Sequence, residues 1–120
     1  MLNLDTHMVV AMLGGELSSA ELDLLMPQPL AISDIVLWEL AKLVELRRLE
    51  FDFDEMEFRT FLRNTTIFPI TIEIARKSTK LDFKSDPADQ IIAATSIVEQ
   101  IPLVTRDRRI LRSKLVPFPR

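Results

Sequence analysis

The sequence contains no cysteine, one histidine and one tryptophan among its 120 residues. Without cysteine the chain can form neither a disulfide framework nor a thiolate metal site. It also lacks a long apolar run, because charged residues interrupt every stretch before the roughly 20 residues that a membrane span needs. The first residues, MLNLDTHMVV, have neither the basic region nor the long apolar core of a secretory signal. These absences predict a cytoplasmic protein without a membrane association.

The length and composition indicate one folded unit. A chain of 120 residues that is 48% hydrophobic can bury a sizeable core. No internal repeat, low-complexity segment or linker divides it. We therefore expect a single domain that covers residues 1–120.

The small net charge of −3 conceals a strong asymmetry along the chain. Residues 1–75 hold five Lys/Arg and thirteen Asp/Glu, whereas residues 76–120 hold ten Lys/Arg and five Asp/Glu. The acidic part argues against nonspecific coating of nucleic acid, whereas the basic part suits local contact with a polyanion. A solvated basic surface explains the charge count equally well.

Short apolar segments alternate with amphipathic ones, which predicts strands separated by helices. The predicted strands are MLNLD, LAI, TIFPI, PLVT and KLVPF. Helix starts are predicted at Ser18 with Glu21, at Ser33, at Asp54 with Glu57, at Thr71, and at Asp86 followed by Pro87. The pattern is typical of an α/β protein with three layers, α/β/α, around a central parallel sheet of four to five short strands.

One acid lies inside an otherwise apolar helix. In the segment ISDIVLWELAKLVELRR, a helical wheel places Glu39 between Leu43 and Leu46, on the side that faces the core. An unpaired carboxylate there would cost several kcal/mol. Pairing with Arg47 or another arginine, or a position at the rim of the apolar face, is one explanation. A shared functional site is the other.

Three further acids are expected near one edge of the sheet. Asp5 ends the first predicted strand, Asp107 follows PLVT, and Asp89 lies in the first turn of the helix that starts at Asp86. Each acid has an ordinary explanation as a helix cap or a turn residue. Carboxyl ends of parallel strands nevertheless meet at one edge, where open α/β sheets bind ligands. Together with Glu39, these acids predict a cluster of four carboxylates.

Four carboxylates in close contact repel one another and raise one another's pKa. A hard divalent cation removes this conflict, because Mg²⁺ and Mn²⁺ prefer oxygen ligands. Zinc is disfavoured, since the chain offers only His7 and no cysteine. The residues thus predict a Mg²⁺ or Mn²⁺ site.

The segments LNLDTHMVVAML, ISDIVLWELAKL, SDPADQIIAATSI and IPLVTRDRRI resemble, in order and spacing, the PIN-domain ribonucleases, and among them the VapC-like toxins of type II toxin–antitoxin modules. The resemblance covers the chain from end to end. It implies a metal-dependent endoribonuclease whose catalytic and metal-binding acids are Asp5, Glu39, Asp89 and Asp107. One departure is Lys84 and Gln90, where related sequences often carry His and Arg, which affects substrate contacts and not the metal ligands.

The resemblance also implies roles for neighbouring residues and partners. Thr105 matches a polar residue that lines the pocket and orients water. Asp86 also matches the family motif but is secondary to the four proposed ligands. Lys84 and Arg106 are candidates for phosphate contacts. The implied partners are an RNA substrate, a cognate antitoxin and a second copy of the chain in a homodimer. We expect Trp38, on the polar side of its helix, to contribute to such contacts.

Alternative functions differ in which residues they require. A receiver domain needs an acceptor Asp after a middle strand and a Lys after a late one, and neither is present. A haloacid-dehalogenase-like phosphatase needs a second acid at the position of His7. A solitary RNA-processing PIN nuclease and a catalytically inactive PIN-fold binding module stay open, although the complete acid set argues against the second.

Overall fold

The computed structural model describes residues 1–120 and contains four strands and seven helices. The strands are β1 (Leu2–Leu4), β2 (Leu30–Ser33), β3 (Thr65–Phe68) and β4 (Leu103–Val104). The helices are α1 (Thr6–Leu13), α2 (Ser19–Leu25), α3 (Ile35–Glu45), α4 (Met56–Arg63), α5 (Ile72–Ser78), α6 (Pro87–Glu99) and α7 (Arg108–Leu111). No helix is long and apolar enough to cross a membrane.

The four strands form one parallel sheet in the order β3-β2-β1-β4. This confirms the predicted α/β fold with a central parallel sheet flanked by helices. From β1 the chain continues outward through β2 and β3, and it then returns to place β4 on the other side of β1. The carboxyl ends of β1 and β4 therefore form the point where the strand order reverses, which is where open α/β sheets bind ligands.

The predicted strand in KLVPF is wrong. Residues 114–118 form no strand, and one backbone hydrogen bond, from Leu103 N to the Pro117 carbonyl at 2.9 Å, connects this segment to β4. Pro117 and Pro119 lack the N–H groups that a strand ladder requires, so pairing ends there.

Most of the predicted helix starts are confirmed by their capping contacts. Ser18 and Glu21 form the predicted capping box of α2, and Thr71 accepts a hydrogen bond of 3.2 Å from the N–H of Ile74 at the start of α5. Pro87 is the first residue of α6. It tolerates that position because an N–H there would have no partner within the helix.

Two predicted starts differ from the structure. Helix α4 has Glu55 as its N-cap, because Asp52 accepts a hydrogen bond from the N–H of Asp54 and holds Asp54 in the preceding turn. Ser33 ends β2 and still accepts a hydrogen bond of 3.3 Å from Ile35 N, but Asp34 occupies the N-cap position of α3. Each predicted helix start thus lies one residue before the observed N-cap.

A buried asparagine fixes α6 against the centre of the sheet. The Asn3 side chain in β1 donates to the Ile92 carbonyl at 3.2 Å and to Ser96 Oγ at 2.9 Å, both in α6. Ala93 and Ser96 are buried small residues, which allow this close approach. The contact holds the middle of α6 against β1.

Candidate active site

Asp5 lies at the carboxyl end of β1 and is buried. Its Oδ1 accepts a hydrogen bond of 2.9 Å from Met8 N and so caps α1, while its Oδ2 accepts a hydrogen bond from the hydroxyl of Thr105. Burial raises the pKa of Asp5 above its usual value, although these two hydrogen bonds oppose the shift. Asp5 therefore has the ordinary capping role with one carboxylate oxygen, while Thr105 holds the other.

Glu39 lies in the middle of α3 and is half-buried. Its Oε1 accepts a hydrogen bond from the hydroxyl of Thr6, and it forms no ion pair with Arg47 or any other arginine. Burial is the largest cause of its raised pKa, and the charges of Asp89 and Asp5 add to that effect. The position on the core side that the helical wheel predicts is thus observed as partial burial, and no arginine or lysine pairs with the carboxylate.

Asp89 lies in the first turn of α6 and is half-buried. Its Oδ2 accepts a hydrogen bond of 2.8 Å from the hydroxyl of Ser85. The negative charge of Asp89 raises the pKa of both Asp5 and Glu39. These three acids therefore lie near enough to influence one another, and each accepts a hydrogen bond from a neutral hydroxyl group.

Asp107 follows β4 and connects to the other acids through Thr105. Its backbone N–H donates to Thr105 Oγ1 at 3.1 Å, and the same hydroxyl donates to Asp5. The Asp107 side chain caps α7 by accepting a hydrogen bond of 2.8 Å from Arg109 N. In this structure no three acidic or histidine side chains form a ready-made set of metal ligands.

The three remaining predicted residues have different surroundings. Asp86 is exposed at the predicted N-cap position of α6, but its side chain makes no capping hydrogen bond. The Lys84 side chain is exposed. Its carbonyl accepts a hydrogen bond of 3.1 Å from Arg109 Nη1, which places Lys84 beside α7. Arg106 is paired with Glu21 at 2.7 Å. That pairing argues against the predicted phosphate contact of Arg106.

Sequence reasoning missed the two hydroxyl groups that hold Glu39 and Asp89. Thr6 directly follows Asp5, and Ser85 precedes Asp89 by four residues, so both were visible as polar neighbours of predicted ligands. The sequence pattern does not indicate that His7 lies near the acids. When protonated, its imidazole lowers the pKa of Asp5 and Glu39, although less than burial raises them.

The donor set suits a hard divalent cation. The neighbouring groups are carboxylate and hydroxyl oxygens with the imidazole of His7 near them, and burial and neighbouring negative charge raise the pKa of Asp5 and Glu39. Mg²⁺ and Mn²⁺ prefer such ligands. A cavity of about 250 Å³ elsewhere is lined by apolar side chains and glutamates and includes none of the four acids.

Comparison with known proteins agrees with this geometry. A sequence profile described as the PIN domain matches residues 3–114. The chain is 36% identical to Ribonuclease VapC22 of Mycobacterium tuberculosis over 93 residues, which are 75% of this chain and 71% of that protein.

Solved structures of toxin–antitoxin complexes contain chains of the same fold. A complex from Klebsiella pneumoniae matches with a TM-score of 0.72 and 23% identity, covering 93% of this chain and 91% of the other. VapBC2 from Rickettsia felis, bound to a DNA fragment from its promoter, matches with a TM-score of 0.72 and 22% identity, covering 99% and 98% of the two chains. At these identities the likeness establishes the fold alone. The sequence profile spans nearly the whole chain, however, and the chain therefore belongs to the PIN domain family.

Proposed function

We propose that this protein is a Mg²⁺- or Mn²⁺-dependent endoribonuclease that acts as the toxin of a toxin–antitoxin pair. The observation that carries the proposal is the proximity of Asp5, Glu39 and Asp89 near the switch point of the sheet, where each accepts a hydrogen bond from a hydroxyl group and none pairs with an arginine or lysine. Membership of the PIN family and the relationship to a protein named as a ribonuclease support the reaction class.

The chain's own residues would hold the ion and position the acids. Asp5, Glu39, Asp89 and Asp107 are the proposed ligands. When bound, a divalent ion in such a site activates water and stabilises the charge that develops on the phosphate. Thr105 donates to Asp5 and accepts from the backbone of Asp107, so it would keep these two acids in a fixed relation. No protein nucleophile is required.

A cleavage assay tests this function. Purified protein should cleave single-stranded RNA when Mg²⁺ or Mn²⁺ is added and should lose that activity in excess EDTA. Activity should return when the divalent ion is restored. Cleavage that continues in excess chelator would refute the metal mechanism. No cleavage of any RNA with either ion would favour the inactive binding module instead.

We further propose a cognate antitoxin and a homodimer as partners. Solved structures of the same fold are named as toxin–antitoxin complexes, and several large apolar side chains of this chain are exposed, including Trp38 at 55% and Met56 at 81%. Exposed aromatic residues are favourable anchors of protein interfaces. A short upstream reading frame that encodes a DNA-binding protein would support the pair. Growth that is unaffected by expression of an RNA-cleaving protein would favour a solitary RNA-processing nuclease.

A further inference from the structure

Two basic segments are held side by side at the edge of the acidic site. Arg109 Nη1 donates to the Lys84 carbonyl at 3.1 Å. Asp82 accepts hydrogen bonds from Ser113 Oγ at 2.6 Å and from Lys114 N at 2.8 Å. These contacts fasten the loop before α6 to α7 and the residues that follow it. We call the exposed cations of the two segments the basic rim: Lys84, Arg108, Arg109, Arg112 and Lys114.

Each of the two segments contains a residue that contacts one of the proposed metal ligands. Ser85, the neighbour of Lys84, donates to Asp89 at 2.8 Å. On the other segment Asp107 caps α7 and contacts Thr105, whose hydroxyl donates to Asp5. The basic rim therefore borders the proposed ligands on the side of α6 and α7.

No cation of the basic rim forms an ion pair, although the carboxylate of Asp82 lies next to Lys114, whose backbone N–H donates to it. The only two ion pairs of the structure join Lys42 to Glu45 and Arg106 to Glu21. Arg108 and Arg112 are four residues apart, which places their side chains on one face of the α7 turn. Exposed cations on one surface without carboxylate partners attract a polyanion.

The opposite charge occupies the segment before and at the start of α4. Five exposed acids lie there: Glu50, Asp52, Asp54, Glu55 and Glu57. Four of them line two neighbouring cavities near the end of α3. A nucleic acid backbone would be repelled from this surface and attracted to the basic rim.

We propose that the basic rim binds backbone phosphates of the RNA on one side of the scissile bond, so that the RNA crosses the loop before α6 and α7 and leaves Arg106 paired with Glu21. This proposal rests on the proposed ribonuclease function. Phosphate contacts position a nucleic acid without reading its sequence. The basic rim would therefore determine affinity and its salt dependence, whereas the cleavage sequence would be unchanged.

The test compares two pairs of arginines with the same spacing. Arg108→Gln/Arg112→Gln removes two charges of the basic rim, and Arg59→Gln/Arg63→Gln removes two exposed charges of α4. Both double variants are made in the Asp89→Asn background so that RNA is not consumed. Binding of a fluorescein-labelled single-stranded RNA of mixed sequence is measured in Mg²⁺ across a series of salt concentrations. Lys84→Gln provides a third variant outside α7.

We expect the α7 double variant to weaken RNA binding about tenfold or more at low salt. The slope of log K against log salt should fall in magnitude by about 1.4, because each phosphate contact with a single strand contributes about 0.7. Lys84→Gln should reduce the magnitude of this slope by about half as much. The α4 double variant should bind within about twofold of the parent.

Two outcomes overturn the proposal in different ways. If the protein with Asp89 intact cleaves RNA and both double variants bind equally well or equally poorly, the ribonuclease function stands and the basic rim has no specific role. If that protein neither cleaves nor binds RNA, the proposed function and this inference fail together. Melting curves of all variants confirm folding, and Lys84→Gln decides the question if the α7 variant does not fold.

Discussion

The guanidinium of Arg106 donates two hydrogen bonds to the carboxylate of Glu21, with Nε 2.8 Å from Oε2 and Nη2 2.7 Å from Oε1. The same Nη2 also donates to the Glu16 carbonyl at 3.1 Å. Glu21 belongs to the capping box of α2, and Arg106 lies between Thr105 and Asp107. This pair therefore joins the start of α2 to the loop that carries two residues of the candidate site.

The first prediction concerns the pH dependence of this ion pair. Hydrogen bonding to Arg106 lowers the pKa of Glu21 from 4.5 to about 2. A carboxyl group whose pKa is lower in the folded state stabilises the fold above its unfolded pKa. That contribution is lost as the pH falls from 4.5 towards about 2. Glu21→Gln should therefore reduce the free energy of unfolding at neutral pH, and the difference from wild type should shrink over this range.

Glutamine is a suitable substitution because its amide oxygen can still accept the hydrogen bond that Ser18 N donates to Glu21. The comparison thus removes the charge and keeps the cap. Urea unfolding at several pH values provides the measurement. A difference that stays constant from pH 7 to pH 2 would show that the effect comes from the helix cap and not from the ion pair.

The second prediction concerns Thr105. Its hydroxyl donates to Asp5 and accepts from the N–H of Asp107, so Thr105→Val removes both contacts at similar volume. Loss of a residue that orients metal ligands costs about 10- to 100-fold in metal affinity or activity. We expect a loss of that size in Mn²⁺-dependent cleavage, with recovery in Thr105→Ser. The Mn²⁺ concentration for half-maximal activity should rise in Thr105→Val, and an unchanged value would exclude this role.

The sequence predicted the sheet, the four strands to within one or two residues and the capping motifs of α2 and α5, because those features depend on short-range patterns. It placed Asp5 and Asp107 at strand ends for the same reason. Arg106 and Glu21 are separated by 85 residues in the sequence, so their pairing could not be predicted from a local pattern. The hydroxyl partners of Glu39 and Asp89 depend on side-chain directions that a helical wheel does not resolve.

The predicted strand in KLVPF shows a further limit of pattern reading. Its apolar residues match a strand, but Pro117 prevents regular strand pairing. Val116 is buried although it belongs to no strand. Apolar composition predicted the secondary structure wrongly and the burial only in part, since Leu115 is 49% exposed. Tertiary contacts, and not local propensity, determine the conformation of this terminal segment.

The third prediction separates two acids at the start of α6. Asp89→Asn should abolish RNA cleavage, because Asp89 is a proposed metal ligand that faces Asp5 and Glu39. Asp86→Asn should keep most of the activity, since Asp86 is exposed and its side chain makes no hydrogen bond to the helix. Both substitutions are isosteric and lie three residues apart. Initial rates of cleavage at saturating Mn²⁺ decide the assignment, and equal losses would mean that the ligand has been misassigned.

The last prediction connects stability with the metal site. In the metal-free protein burial raises the pKa of Asp5 and Glu39, and the charge of Asp89 adds to both shifts, which means that ionisation of these groups opposes folding at neutral pH. Asp89→Asn removes that repulsion while its amide oxygen can still accept the hydrogen bond from Ser85. The substitution also removes a negative charge from a helix N-terminus, which costs about 0.3–1 kcal/mol. We expect relief of repulsion to equal or exceed this cost.

Thermal melts with and without Mn²⁺ measure both effects. Metal-free Asp89→Asn should melt at the same temperature as wild type or higher at neutral pH. Its gain in stability on adding Mn²⁺ should be smaller than that of wild type, because a ligand that binds only the folded state stabilises it according to its affinity. Asp86→Asn should respond to Mn²⁺ as wild type does. If Asp89 has only a structural role, Asp89→Asn will instead lose about 1 kcal/mol or more of stability and keep the full response to Mn²⁺.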